Sequence, residues 1–281
     1  MKKAIQIAYN ALFEKKCEFA AKGGFKYISV NFTEIMDKTQ DDWDAVIEDI
    51  ESILDKTGIK CIQSHPYYYD LLLSSEIVKE ECEFAIKQAI RASGKLGAKW
   101  CAIHPRTSIT GGFCRSKSFE GNKKSFSEYV ECAYKYNTGI AAENLPIFPH
   151  LCPSMPFYSS DYEDLCILVD SFADEKIGVC WDTGHAHLMS FEQADAIKTI
   201  GNRIKCTHIH NNFREQDLHL SPENGTIEWD KVMGAFRETG YTGPLTLETH
   251  CRYTDDGLMQ SFARHNYACL EYLERLFEAG K

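Results

Sequence analysis

The chain has 281 residues, an apolar fraction of 44% and a formal net charge of −10. Such a length suits one large core, and no run of about 18 apolar residues is available to span a membrane. The negative charge argues against nucleic acid as a partner, because phosphate binding draws on basic side chains.

In chain order, Met1-Lys2-Lys3 leads into a stretch at 4–10 that is too polar and too short for a secretory leader. It reads as a first strand, and retention in the cytoplasm is expected. The twelve cysteines are scattered and none forms a Cys-x-x-Cys pair. Cys61, Cys101, Cys180 and Cys206 fall inside apolar strand runs, where a thiol acts as a small hydrophobe, so a reducing compartment is expected.

Short apolar, β-branched or aromatic runs recur at 4–8, 26–31, 60–63, 100–103, 139–142, 177–181, 204–207 and 244–247. Helical periodicity fills much of the chain between them, at 41–55, 74–95, 125–136, 161–172, 191–200 and 228–239, with a last helix from about 256 to 278. Gly58, Gly97, Gly201 and Gly240 stand where helices should end. Eight alternating strand–helix units predict a single (β/α)8 TIM barrel over 1–281 with no internal domain boundary. The rival, an open doubly wound sheet, lacks its Gly-x-Gly-x-x-Gly after the first strand.

Two segments stand out. Residues 144–160 hold Pro146, Pro149, Pro153 and Pro156 among aromatics, a stiff non-helical loop that fits a lid or an oligomer contact. Residues 106–124 carry Arg106, Arg115, Lys117, Lys123 and Lys124 against the single acid Glu120. That run reads either as a phosphate grip beside the barrel mouth or as a solvated loop.

The chemistry concentrates at strand ends. His65, His104, Glu143 and Asp182 follow one another at intervals of 39 residues; His208 comes 26 later and Glu248 another 40. Each polar residue thus ends its strand, at the C-terminal mouth where active sites of this barrel sit. A lone histidine there is ordinarily a hydrogen-bonded structural residue, and a lone acid ordinarily caps the next helix. Six together are a poor coincidence, and converging carboxylates repel unless a cation joins them. Glu143, Asp182, His208 and Glu248 offer three carboxylates and one imidazole. That set suits Mn2+ or Mg2+ best, with Zn2+ and Co2+ as alternatives. His65 and His104 extend it toward a second metal or the substrate.

Ser64-His65-Pro66-Tyr67, Ile103-His104-Pro105, Glu143-Asn144, Asp182-Thr183-Gly184-His185, His208-Ile209-His210-Asn211-Asn212, Asp217-Leu218-His219 and Glu248-Thr249 together resemble the xylose-isomerase-like TIM-barrel superfamily over nearly the whole chain. This superfamily holds sugar isomerases and epimerases, inosose dehydratases and endonuclease IV-type apurinic-site nucleases. For the epimerase branch the resemblance implies one divalent metal on Glu143, Asp182, His208 and Glu248. Glu143 and Glu248 would face opposite sides of the carbon that exchanges its proton, with His185 and Arg214 on the sugar's oxygens. For the nuclease branch it implies three zinc ions, the same four residues being joined by His65, His104, His185, Asp217 and His219. All nine are present. A homodimer or homotetramer is also what the family implies.

The sequence favours the carbohydrate branch: a divalent-metal-dependent isomerase or epimerase of a sugar or sugar phosphate, acting through a metal-stabilised enediolate. Asn211 replaces an acid usual in the nuclease branch, and Asn144-Leu145-Pro146 lacks the small residues usual there. Tyr67, Phe113 and Phe148 are candidates to stack on a sugar. Nuclease action, an inosose-dehydratase-like elimination and a barrel that binds without turnover are the alternatives.

Overall fold

The structure is a computed structural model describing residues 1–35, 37, 39–68, 76–108, 112–147 and 156–280, the side chains of 76–78 excepted. Its eight parallel strands are β1 (Lys3–Ala8), β2 (Tyr27–Asn31), β3 (Lys60–His65), β4 (Trp100–Ile103), β5 (Gly139–Glu143), β6 (Ile177–Asp182), β7 (Ile204–His208) and β8 (Leu245–Leu247). They lie in the order β7-β6-β5-β4-β3-β2-β1-β8. The ring closes where Ile209, just past β7, bridges Leu247: its N–H donates to the Thr246 carbonyl at 2.7 Å, and Glu248 N–H donates back to the Ile209 carbonyl at 3.1 Å. A single (β/α)8 barrel is therefore formed, as the alternating pattern predicts.

The outer layer contains α1 (Phe13–Gly23), α2 (Gln40–Thr57), α3 (Glu76–Lys95), α4 (Arg115–Tyr136), α5 (Tyr162–Asp170), α7 (Gln193–Ile200), α8 (Trp229–Glu238) and α9 (Asp256–Glu278), with the short α6 (Thr183–His187) at the mouth. Outward strand residues such as Ile28, Val30, Ile103, Ile140, Val179, Trp181 and Leu247 are buried under these helices. The glycines at 58, 97, 201 and 240 all have positive φ, and Gly58 ends α2 in the left-handed turn that glycine adopts without steric penalty.

Sequence periodicity missed α1. It is short, and lysines interrupt its apolar stripe, yet Phe13, Cys17 and Ala20 share the buried face against the barrel and α9. The basic run at 106–124 is for the most part not a loop but the first half of α4. Its cations are spread rather than gathered. Buried Arg106 holds Glu83 at 2.6 Å, and Arg115 pairs with Asp161 at 3.1 Å and Asp164 at 3.3 Å. Lys117, Lys123 and Lys124 lie exposed along the helix, so no grip of five cations forms beside the mouth. Of the segment at 144–160, residues 148–155 lie outside the described residues, and Phe148 with them. No described helix is long and apolar enough to cross a membrane.

Candidate metal centre

Side chains alternate along a strand, so the residue two places beyond an interior one also points inward. Ala102, Ala141, Cys180 and Cys206 fill the barrel interior together. Gln63 and Thr246 complete it, the Thr246 hydroxyl donating to Gln63 Oε1 at 2.9 Å. Two positions past each of these six stand His104, Glu143, Asp182, His208, His65 and Glu248. The rim is thus the inward face continued to its C-terminal end, and there the filling changes from small and neutral to ionisable.

Ligand atoms of Glu143, Asp182, His208 and Glu248 all lie within 4.8 Å of one another and are buried. His208 Nδ1 is 2.9 Å from Glu143 Oε1, 3.2 Å from Glu248 Oε2 and 4.0 Å from Asp182 Oδ2. Beside them His65 Nε2 and His104 Nε2 stand 3.3 Å apart, and 3.4 and 3.5 Å from Glu143 Oε2. Glu143 is therefore shared between two groups.

A third group grows from Asp182. Its Oδ1 caps α6 by accepting the His185 N–H at 2.6 Å, and it also accepts from His210 Nε2 at 3.0 Å. Asp217 Oδ2 lies 3.3 Å from His185 Nε2 and 3.0 Å from His219 Nε2. His210 was not among the residues singled out from sequence. Its place two after His208 was the available signal. A Cβ on Gly184 would collide with the His210 ring, so that glycine makes room for it. Asn144 was likewise missed as a positioner: its amide brackets the Asp182 backbone at 2.7 and 2.9 Å, and its carbonyl accepts from His185 Nδ1 at 2.8 Å.

The histidine tautomers bear on what fits here. His65, His185 and His219 each donate Nδ1–H to a backbone carbonyl, of Pro66, Asn144 and Glu248, at 2.7, 2.8 and 2.8 Å. A second hydrogen bond of this kind fixes the ring and frees Nε2 as a ligand, the arrangement common to metal-bound histidines. Glu143 Oε2, Glu248 Oε2 and Asp217 Oδ1 are buried without a hydrogen bond. Buried polar atoms ordinarily have partners, so these donors fit one or more divalent ions.

The imidazoles and carboxylates of the rim shift one another's acidity. Burial alone would lower His208, yet Glu143 and Glu248 push it up to about 10. Burial also opposes His219, which Asp217 and Glu248 raise to about 9, while Asp182 and Asp217 hold His185 well above the usual imidazole range. Burial would raise the acids, but His208 and His104 hold Glu143 well below the ordinary carboxylate value, and His208 and His219 hold Glu248 at about 2. Asp217 is depressed in the same way by His185 and His219.

Arg214 lies apart. It is exposed, with φ 67°, and lines a cleft with His187, Phe191 and Glu228 rather than joining the cluster. Tyr67 packs toward the core, and it is Tyr68 that faces the rings of His65 and His104, at 6.2 and 5.1 Å. Phe113 is half-buried ahead of α4.

Uncharacterized protein y4fM of Sinorhizobium fredii is 30% identical to this chain over 170 residues, 58% of this chain and 51% of y4fM. The chain therefore spans about half the length of that relative. D-psicose 3-epimerase of Enterocloster bolteae is 29% identical over 86 residues, 31% of this chain and 27% of the epimerase. A solved D-tagatose 3-epimerase-like protein matches with TM-score 0.74 and 20% identity, over 100% of this chain and 99% of that one. IOLI protein, solved with a bound zinc atom, matches with TM-score 0.75 and 17% identity, over 99% of each chain. At such identities these two likenesses are of fold. The family description "xylose isomerase-like TIM barrel" matches residues 17–268, and the chain belongs to that family.

Proposed function

We propose that the protein is a divalent-metal-dependent isomerase or epimerase of a small sugar or sugar phosphate, working by proton abstraction next to a carbonyl. The observation that carries the metal is the rim itself: ligand atoms of three buried carboxylates and one buried imidazole, on Glu143, Asp182, His208 and Glu248, lie within 4.8 Å of one another. The sugar rests on family membership and on the stretch shared with a D-psicose 3-epimerase. Glu143, Asp182, His208 and Glu248 would hold the ion, Mn2+ by preference for a set of three carboxylates and one imidazole, with Zn2+, Mg2+ or Co2+ as substitutes. What the ion supplies is polarisation of a carbonyl and its neighbouring hydroxyl, which acidifies the C–H between them.

Glu143 and Glu248 do the proton work. They reach the cluster from β5 and β8 and flank the same His208 nitrogen. One takes the proton from carbon and the other returns it to the opposite face, which inverts that centre. Delivery of the proton to the former carbonyl carbon, with the hydroxyl proton passing between the two oxygens, would instead move the carbonyl, and loss of hydroxide from the carbon next to the enediolate would dehydrate the sugar. Gln6 donates to Glu248 Oε1 at 2.5 Å and so fixes the orientation of one of the two bases. His185 is proposed to hold the sugar's oxygens; Arg214, expected from the sequence to share that role, faces the separate cleft beside His187. A reducing compartment, the cytoplasm, suits the eleven described cysteines, all free.

The test is solvent deuterium incorporation into ketoses in heavy water with Mn2+. Wild type should incorporate label at the inverted carbon, and Glu143→Gln or Glu248→Gln should not. Label that enters equally in both variants would remove the two carboxylates from the reaction.

One observation favours a second reading. Glu143 and Asp182 link three adjoining ligand groups, and such a shared cluster suits phosphodiester hydrolysis at an apurinic site. The net charge of −10 and the dispersal of the α4 cations weigh against it. Cleavage of an abasic-site oligonucleotide without any exchange on ketoses would select it.

A further inference from the structure

Beside the rim groups, three side chains meet where the segment between β7 and α8 lies against α9. His265 and Cys269 stand one turn apart on α9 and so project from the same face. Glu223 reaches them from the segment between β7 and α8. The Cys269 thiol donates to Glu223 Oε2 at 2.7 Å; His265 Nε2 contacts Glu223 Oε1 and lies 3.7 Å from the sulfur. None of the three belongs to the rim groups. We propose that Glu223, His265 and Cys269 form a second metal site, of the Zn2+ type, distinct from the ligand groups at the rim.

The donor set is what distinguishes it. A thiolate, an imidazole and a carboxylate are the ligands Zn2+ takes, at about 2.3 Å for sulfur and about 2.0–2.2 Å for nitrogen and oxygen. Around a tetrahedral ion such atoms sit roughly 3.5 Å apart, close to the separation found between sulfur and imidazole. The shorter sulfur–oxygen distance is bridged by the thiol proton. Burial, then the Glu223 carboxylate, push that thiol up to about 12, so the proton stays until a metal takes its place. Cys269 is buried, whereas the His265 and Glu223 side chains are 49% and 40% exposed. An ion here would keep a coordination position open to water.

The surroundings are already set. Asn224 N–H donates to the Ser221 carbonyl at 2.9 Å, closing a turn around Glu223. Ser221 and Thr249 hydroxyls both donate to Asn266 Oδ1 of α9, each at 3.1 Å. Glu223 follows His219 by four residues, so an ion on α9 would clamp the segment that carries Asp217 and His219.

The experiment is Co2+ loading followed by absorption and metal counting. Wild type should show a thiolate-to-cobalt band in the near ultraviolet. Cys269→Ser should remove the band and one equivalent of metal. His265→Ala changes a half-exposed side chain that the fold does not need, and should weaken the site at least ~10-fold. Because Cys180 also lies near Glu143 and His208, Cys180→Ala must leave the band intact. A band that survives Cys269→Ser, or saturation without any thiolate band, overturns the proposal and leaves a hydrogen-bonded surface trio. Glu143→Gln should not alter the band, which separates failure here from failure of the rim assignment.

Discussion

The two ends of the barrel differ in a way that space alone does not predict. The N-terminal end has a cleft of about 520 Å3, lined by Lys2, Trp100, Lys205, Tyr241 and Pro244 among others, without one carboxylate or imidazole. The C-terminal end has its inward face crowded with Glu143, Asp182, Glu248, His65, His104 and His208, several of their atoms buried and unpaired. The same strands build both. Clefts occur at both ends, the C-terminal one beside His219, Thr249 and His250 being about 590 Å3, so unsatisfied donors and not volume mark the end that has the chemistry. Packing should set the tolerance of one end to change, and electrostatics that of the other.

The largest expected effect lies at the mouth. Glu143→Gln or Glu248→Gln should lower solvent exchange by about 10²–10⁴-fold, the usual worth of a positioned base, measured as deuterium uptake. Substitutions lining the N-terminal cleft should leave it within a few-fold of wild type.

Acidity gives the next. His208 is raised in the folded protein to about 10 from an ordinary 6.5. The stability it lends the metal-free protein is fully present below pH 6.5 and disappears as pH rises through about 10. Metal must displace that proton, so affinity should climb about tenfold per pH unit for each proton released. Metal titrations and thermal melts between pH 6 and 9 should therefore trend in opposite directions. Parallel trends would show that His208 is not where the proton is lost.

Gly184→Ala should come third. Its Cβ would strike the His210 ring and disturb a bond to Asp182, with an expected loss of about 10–100-fold in metal affinity. The smallest effect on function belongs to the opposite end. At Gly139 a new Cβ would press on the Trp100 ring, costing about 1–3 kcal/mol by denaturant unfolding with metal content unchanged.

Much of this was legible beforehand because a barrel repeats itself. The interval of 39 residues from His65 to Asp182 is a strand–helix unit read directly from the chain, and the eight apolar runs fall within a residue or two of the strands. What escaped depended on contacts made across the ring. His210 becomes visible only when Asp182 of the neighbouring strand comes within 3.0 Å, and Gln6 only when β1 pairs beside β8. Arg106 reads as a free cation until Glu83 is found beneath it. Cys269 gives no signal alone, since its partners lie one helical turn away and in a distant loop.

Elemental analysis of the purified protein in a Cys269→Ser background, which removes the outer trio, tests the central claim most directly. At least one divalent ion per chain should be found, and it should vanish when Asp182 and His208 are both replaced by alanine. Undiminished metal in that double variant, or full deuterium exchange by protein stripped of every divalent ion, would contradict it.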